Sequence, residues 1–339
     1  MKLYGTIAIH VHAEDILRTP KFWDKLKRAF GGKPDLRTGH QRASLEATAI
    51  VEAARDALRN LGATNAISLV VDNTVLFHDR DGKPDDLGDL FLAFHDNSSV
   101  FGEGFDELRL AVEHHEAGLH VVIELQARSE HPKGTPAMRV VISGRIEALT
   151  PRPGEDAEAY RKRAEPIAGD TKALELYRAQ FTAFAERVRN ALAATMPTAR
   201  VEIEKAEPRI VRPNPNAKDA APEPPDSRNY DPFLYYYPSP LYFTMDMLMW
   251  SAMFSMMMPP HFTVVDHHNH VQGYADDPGI QQGPTASEPA AGGDNYWSGD
   301  NEAGADTGAD AGTDTGADAG GGWWDGDGGG DFGGGDFDI

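Results

Sequence analysis

The sequence predicts an α+β fold: a mixed, mostly antiparallel sheet with helices packed on one face, followed by a disordered, acidic, glycine-rich tail. Three observations carry this. Segments between Leu108 and Ile146 alternate apolar and polar residues with the period of a strand. Two longer stretches repeat apolar residues at helical spacing. Charge is divided: all 32 Lys and Arg lie at or before Arg228, whereas 18 of the 53 acidic residues follow it. The front part therefore carries net −3 and the remainder −18 of the total −21.

The first strand is expected over residues 2–13. Leu3, Ile7, Ile9 and Val11 face one way, and Lys2, Tyr4, Thr6, His10 and His12 the other, as in a half-buried strand. A short helix follows, capped by Thr19, started by Pro20, striped by Phe22, Leu26 and Phe30, and stopped at Gly31-Gly32. A second helix runs from about Ser44 to Leu61 and ends at Gly62. Ile67–Val71 and Thr74–His78 flank Asp72-Asn73, a two-residue hairpin signal.

A three-stranded meander comes next. Its buried face carries Leu108, Leu110 and Val112, then Leu119, Val121, Ile123 and Leu125, then Met138, Val140, Ile142 and Ile146. Gly118 and the stretch His131–Thr135 supply the turns. Arg109, Glu113, His120, Glu124, Arg128, Arg139 and Arg145 occupy the other face. A long helix, capped by Asp170, places Leu174, Tyr177, Phe181, Phe184, Val188 and Leu192 on one stripe before Pro197, and Val201 and Ile203 suggest a last strand. A domain over 1–207, at ~200 residues, hides about 70% of its extended surface.

Composition then changes. Seven prolines between Pro208 and Pro232 mark a stiff linker over 208–232. Residues 233–260 form a Met- and aromatic-rich hydrophobic segment, 261–272 a His-rich patch, and 273–339 a tail of Gly and Asp, with Asp306, Asp310, Asp314 and Asp318 in a four-residue repeat. Glycine entropy and like-charge repulsion keep such a tail from building a core.

No cysteine is present, which excludes disulfides, thiol nucleophiles and Cys-ligated metals. The start MKLYGTIAIHVHAED lacks the uninterrupted apolar core of a signal peptide, so cytoplasmic residence is expected. The near-neutral front part does not attract phosphate and the tail repels it, so no nucleic-acid partner is expected. There is no G-x-S-x-G elbow, and Gly31-Gly32-Lys33-Pro34 lacks the spacing of a phosphate loop.

The candidate ligands for a divalent transition metal are His261, Asp266, His267, His268 and His270, the densest imidazole cluster in the chain. His10 and His12 form a second candidate, about 6.6–6.8 Å apart along one strand face. That His-x-His resembles the metal-binding opening of the amidohydrolase barrels, although the later His, Lys and Asp ligands of a barrel do not follow in order. Otherwise no cofactor is expected. Asp79, Asp81, Gly82, Asp85 and Asp86 look like a calcium loop but lack its closing Glu, and a turn explains them. Glu113, His114, His115 and Glu116 read as a solvated hairpin end, and Glu124 with His120 as an acid–base pair only if something covers their face.

Residues 241–258 are broken only by Thr244, Asp246, Ser251 and Ser255. As a helix of about 27 Å they are marginal for a membrane span, and Asp246 costs up to ~3 kcal/mol at a bilayer centre. Methionine suits adaptable protein contacts, so Met245, Met249, Trp250, Met253 and Phe254 are candidate interaction residues. Trp323, Trp324, Phe332 and Phe337 present rings on the anionic tail. The ending GGGDFGGGDFDI resembles the acidic tip of bacterial single-stranded-DNA-binding proteins, which implies an end that enters a basic-rimmed apolar pocket. Together these residues point to a non-catalytic interaction or self-assembling adaptor. A membrane tether through 241–258 and a metal-dependent hydrolase are the alternatives.

Overall fold

The computed structural model describes residues 1–11, 38–79, 103–132, 134–152, 154–213, 221–239, 241–255 and 261–281. His12, the helix expected after Thr19, the Asp81–Asp86 turn and the tail beyond 281 lie outside them. The described residues belong to one compact unit, Met1–Ala291. Its strands are β1 (Lys2–His10), β2 (Asn65–Val71), β3 (Thr74–His78), β4 (Glu107–Glu116), β5 (Leu119–Arg128), β6 (Met138–Ile146), β7 (Arg200–Val211), β8 (Thr263–Val265) and β9 (Val271–Tyr274). They form one nine-stranded sheet in the order β3-β2-β4-β5-β6-β1-β7-β8-β9. Neighbours are antiparallel except β7 and β8, which run parallel. The fold is α+β with a mixed, mostly antiparallel sheet.

Turn chemistry sets the register. Asp72 and Asn73 both take positive φ, 46° and 64°, as do Ala117 and Gly118, 52° and 75°. Two consecutive left-handed residues match the right-handed twist of the flanking strands, so each pair closes a two-residue hairpin. The second turn sets Glu116 opposite Leu119, His115 opposite His120 and Glu113 opposite Val122.

Helices α1 (Gly39–Asn60), α2 (Ala157–Ala168) and α3 (Thr171–Thr195) are each punctuated by a side-chain cap. Thr38 and Gln41 satisfy each other's backbone N–H at 3.1 Å, a capping box that starts α1 before the expected Ser44. Asp170 accepts from the Lys172 and Ala173 amides and opens α3. Leu174, Phe181, Phe184, Val188 and Leu192 are buried, and α3 packs on α1, β1 and β7. The Phe181 ring sits over Gly5 of β1.

Two differences from the sequence reading matter for function. The first strand was expected to be half-buried, yet Lys2, Tyr4 and Thr6 are buried as deeply as Leu3 and Ile7. β1 is central, with α3 on one face and C-terminal residues on the other. The second difference is at the boundary drawn at 207. β7 continues through Pro208 to Val211, because β8 pairs only with Arg209–Val211 and asks no hydrogen bond of the proline. The chain then returns across the sheet through α4 (Pro232–Tyr236) and α5 (Leu241–Ser255), and α6 (Pro278–Gln281) follows β9. Phe233 joins Ile67, Ala111 and Val122 in a core cluster flanked by Tyr236, Tyr237 and Tyr242. Burying one such ring contributes about 1.5–3 kcal/mol.

Candidate functional site

The sheet face away from α1 and α3 carries polar residues in cross-strand rows. One row runs His115, His120, Arg145, Lys2 and Arg209 across β4, β5, β6, β1 and β7. The next holds Glu113, Val122, Ser143 and Tyr4, and a third Ala111 and Glu124. Such a face calls for solvent or for a cover that brings countercharge. Residues 230–239 and 241–246 provide the cover.

Asp231 is its anchor. The carboxylate caps α4 by accepting from the Phe233 amide and takes a 2.5 Å hydrogen bond from the Ser143 hydroxyl. Oδ2 lies 3.1 Å from Arg145 Nη2 and 3.3 Å from Lys2 Nζ. The Arg145 guanidinium stacks 4.7 Å from the Phe233 ring centroid. Burial alone would raise the Asp231 carboxyl, but Arg145, Lys2 and these hydrogen bonds outweigh it and hold it well below the usual range. Lys2 is lowered, because burial and repulsion from Arg145 exceed what Asp231 and Asp246 return. The two directions agree: one anion sits between two cations, while each cation has only a share of the anion.

Glu124, fully buried, accepts from Tyr230 Oη at 2.7 Å and Gln126 Nε2 at 2.8 Å, with Arg109 Nη1 at 3.9 Å. Burial and the Glu124 charge push the Tyr230 and Tyr236 phenols well above their ordinary value. The face is thus covered, but Glu124 and His120 do not become partners of each other. Glu124 is capped by tyrosine, and His120 turns to Glu113.

That contact forms a compact corner at the β4–β5 hairpin. Glu113 Oε1 lies 2.5 Å from His120 Nε2 and 3.3 Å from His115 Nε2, while Oε2 accepts from Asn65 Nδ2 at 2.8 Å. The His120 contact is short but poorly aligned, and His120 Nε2 is buried without a directed hydrogen bond among the described residues. The two imidazoles stack at 4.2 Å with 16° between planes. His115 Nδ1 meets Glu147 Oε1 at 2.6 Å, and His120 is wedged edge-on against Phe233 and Tyr237. Burial would raise Glu113, but His120 and Tyr237 hold its carboxyl down to about 2. One ligand atom from each of Glu113, His115 and His120 falls within 4.8 Å of the others.

The imidazoles selected from the sequence are distributed differently. His261 Nε2 pairs with Glu175 of α3 at 3.0 Å, and His268 Nδ1 faces Glu223 at 3.4 Å. His270 Nδ1 pairs with Asp266 at 3.1 Å, whose other oxygen accepts the His270 amide. His267 stacks on Phe243, and its burial lowers its pKa. His10 ends β1 opposite Arg200. Of the hydrophobic segment, Met245, Met249 and Trp250 are buried within this chain, with α5 against β7 and α2. The side chains of Met253 and Phe254, and all of Trp323, Trp324, Phe332 and Phe337, lie outside the described residues. Among those residues no helix is long and apolar enough to cross a membrane.

The sequence reading leaves Glu113 and His115 at a solvated hairpin end and sets His120 beside Glu124, so it misses the three as a set; the turn is the signal that could have found them. A two-residue turn at Ala117-Gly118 forces 115 opposite 120 and leaves 113 on the same face. Comparison with protein families, curated proteins and solved structures gives no match.

Proposed function

We propose that this chain is a non-catalytic interaction protein that docks a basic-surfaced protein on its C-terminal layer and holds it further with the acidic aromatic tail. One observation carries the reading. Seven large apolar side chains are exposed among the described residues, and five of them (Tyr235, Leu241, Met247, Val271 and Tyr274) lie between 235 and 274. Helix α5 is apolar on nearly all sides. Packing Met245 and Met249 inward turns Met247 outward, and Leu241, the first residue of α5, is exposed at the helix end, where water gains nothing from either. Charge selects the partner. Residues 229–339 carry 18 carboxylates and no Lys or Arg, so a basic protein is attracted and a second copy is repelled.

The test compares full-length protein with the double variant Leu241→Glu and Met247→Glu, immobilised in parallel against one cell extract. Wild type is expected to retain a defined set of basic proteins at 0.1 M salt. The variant loses that set, and 1 M salt weakens it as the Debye length falls from ~10 Å to ~3 Å. Equal retention by both forms would remove the docking surface. Wild-type dimers that the variant dissolves would reassign the surface to self-association.

A further inference from the structure

We propose that Glu113, His115 and His120 bind one divalent transition-metal ion, with zinc the best fit, through Glu113 Oε1 and the two imidazole Nε2 atoms. The proposal is independent of the partner argued above.

Geometry comes first. Two donors about 2.0–2.1 Å from zinc at a tetrahedral angle stand about 3.4 Å apart. Glu113 Oε1 and His115 Nε2 are already separated by 3.3 Å, and one ligand atom of each of the three residues lies within 4.8 Å of the others. The His120 contact at 2.5 Å needs to open, which a small rotation of the carboxylate provides. Both imidazoles crowd one carboxylate oxygen, and His120 Nε2 finds no directed hydrogen bond there. The rings, now stacked 16° from parallel, must also splay for their in-plane lone pairs to converge, and the exposed His115 is the one that turns. A cation between the three atoms then gives each nitrogen an acceptor and relieves the crowding.

The supporting groups point the same way. A ligating histidine ordinarily engages its other ring nitrogen with a carboxylate or carbonyl, which fixes the tautomer. His115 Nδ1 does so with Glu147 Oε1 at 2.6 Å, leaving Nε2 as the lone-pair donor. Asn65 holds Glu113 by its other oxygen, so Oε1 is the one presented. His120 cannot swing away, because Phe233 and Tyr237 pack at 4.8 and 5.2 Å on its ring. The three ligands come from a hairpin whose register is set by Ala117-Gly118, not from a loop.

The donor set decides the class of ion. Two imidazoles and one carboxylate favour zinc and its transition-metal neighbours over magnesium or calcium, which take oxygen. Three protein ligands leave a fourth position. It faces outward beside His115, whose side chain is 55% exposed, and is open to water or to a donor from another molecule.

Full-length protein, stripped with chelator and titrated with Zn2+ or Co2+, is expected to bind one equivalent with high affinity, Co2+ giving the visible bands of a four-coordinate site. The exposed His115 makes His115→Gln the variant that keeps the fold, which circular dichroism checks. It should lose at least about 100-fold in affinity. Glu147→Gln should lose about 10–100-fold, as expected for a group that orients a ligand. His268→Ala with His270→Ala controls for the C-terminal imidazoles and should leave the stoichiometry at one. Absence of a stoichiometric ion in wild type overturns the proposal. So does a His115→Gln protein that binds like wild type, or binding that disappears with the His268 and His270 substitutions instead.

Discussion

Arg145 Nη2 and Asp231 Oδ2 stand 3.1 Å apart in a buried ion pair that joins the centre of the sheet to the segment covering it. The two residues are 86 positions apart in the chain, and the proline-rich residues between them give no sign in sequence that the chain returns. The pair therefore does the work of a clasp, and the next three expectations concern it.

Asp231→Asn is expected to destabilise the protein by about 3–5 kcal/mol, because it leaves Lys2 and Arg145 buried with little countercharge. Lys2→Met should be far milder, and neutral or stabilising. Burial already lowers the Lys2 pKa, so removing its charge recovers desolvation energy and leaves Asp231 with Arg145. Urea denaturation of the two variants decides. An equal loss in both would mean that Lys2, not Arg145, is the essential partner.

Acid should open the clasp. The Asp231 carboxyl is depressed in the folded protein, against about 3.9 when unfolded. A depressed acid stabilises the fold above the unfolded pKa and loses that contribution as pH falls through the folded one. Lys2, Arg145 and Ser143 face it, and none of them changes charge in that range. Stability from Asp231 is thus complete above about pH 5 and declines below about pH 4. The slope of unfolding free energy against pH in that window should be shallower in Asp231→Asn. Parallel slopes would show that Asp231 is not the titrating group.

Truncation separates cover from tail. Ending the chain at Arg228 removes Tyr230, Asp231, Phe233, Met245 and Met249, all buried, and exposes Glu124 and Arg145. The shortened protein should be unfolded or readily cleaved. Ending it at Ala291 removes only low-complexity chain and should leave the thermal midpoint unchanged within about a degree. Native-like cleavage resistance in the shorter form would make the cover a separate unit.

Much of this architecture was legible, and the failures share one cause. The meander, both hairpins and the long helix α3 follow from local signals: period-two alternation, turn residues, Asp170 as a cap. What local signals could not contain was the second layer. The alternation of Lys2, Tyr4 and Thr6 with Leu3 and Ile7 reads as a strand with one wet face, and only a distant Asp231 makes burial of Lys2 tolerable. Tyr230 and Asp231 sit among prolines, whose composition reads as solvated linker. Met245 and Met249 read as an interface, and the surface they meet is formed by elements of the same chain. The histidines show the same limit. His267, His268 and His270 are dense in sequence but face different partners, whereas His115 and His120 are separated by four residues and a turn that stacks their rings.

Gly144→Ala probes the strand pair behind that corner. Gly144 lies opposite Val121, and an added Cβ would stand 2.7 Å from Val121 Cγ1 and 3.2 Å from the carbonyl oxygen of His120. The Val121 contact involves a short, branched side chain that cannot swing clear within a packed face. The carbonyl belongs to a strand paired on both sides, so it gives only if β5 shifts. Overpacking of this kind costs about 1–3 kcal/mol. Val121→Ala alone should also destabilise, by loss of buried methyl groups. In the double variant the clash with Cγ1 is absent, so its cost should fall below the sum of the two single costs by at least about 0.5 kcal/mol. Additive costs would mean that the His120 carbonyl, not Val121, limits the space at 144. In that case Gly144→Ala should disturb the stacked His115–His120 rings through the backbone of β5, visible as shifted imidazole resonances even where stability is little changed.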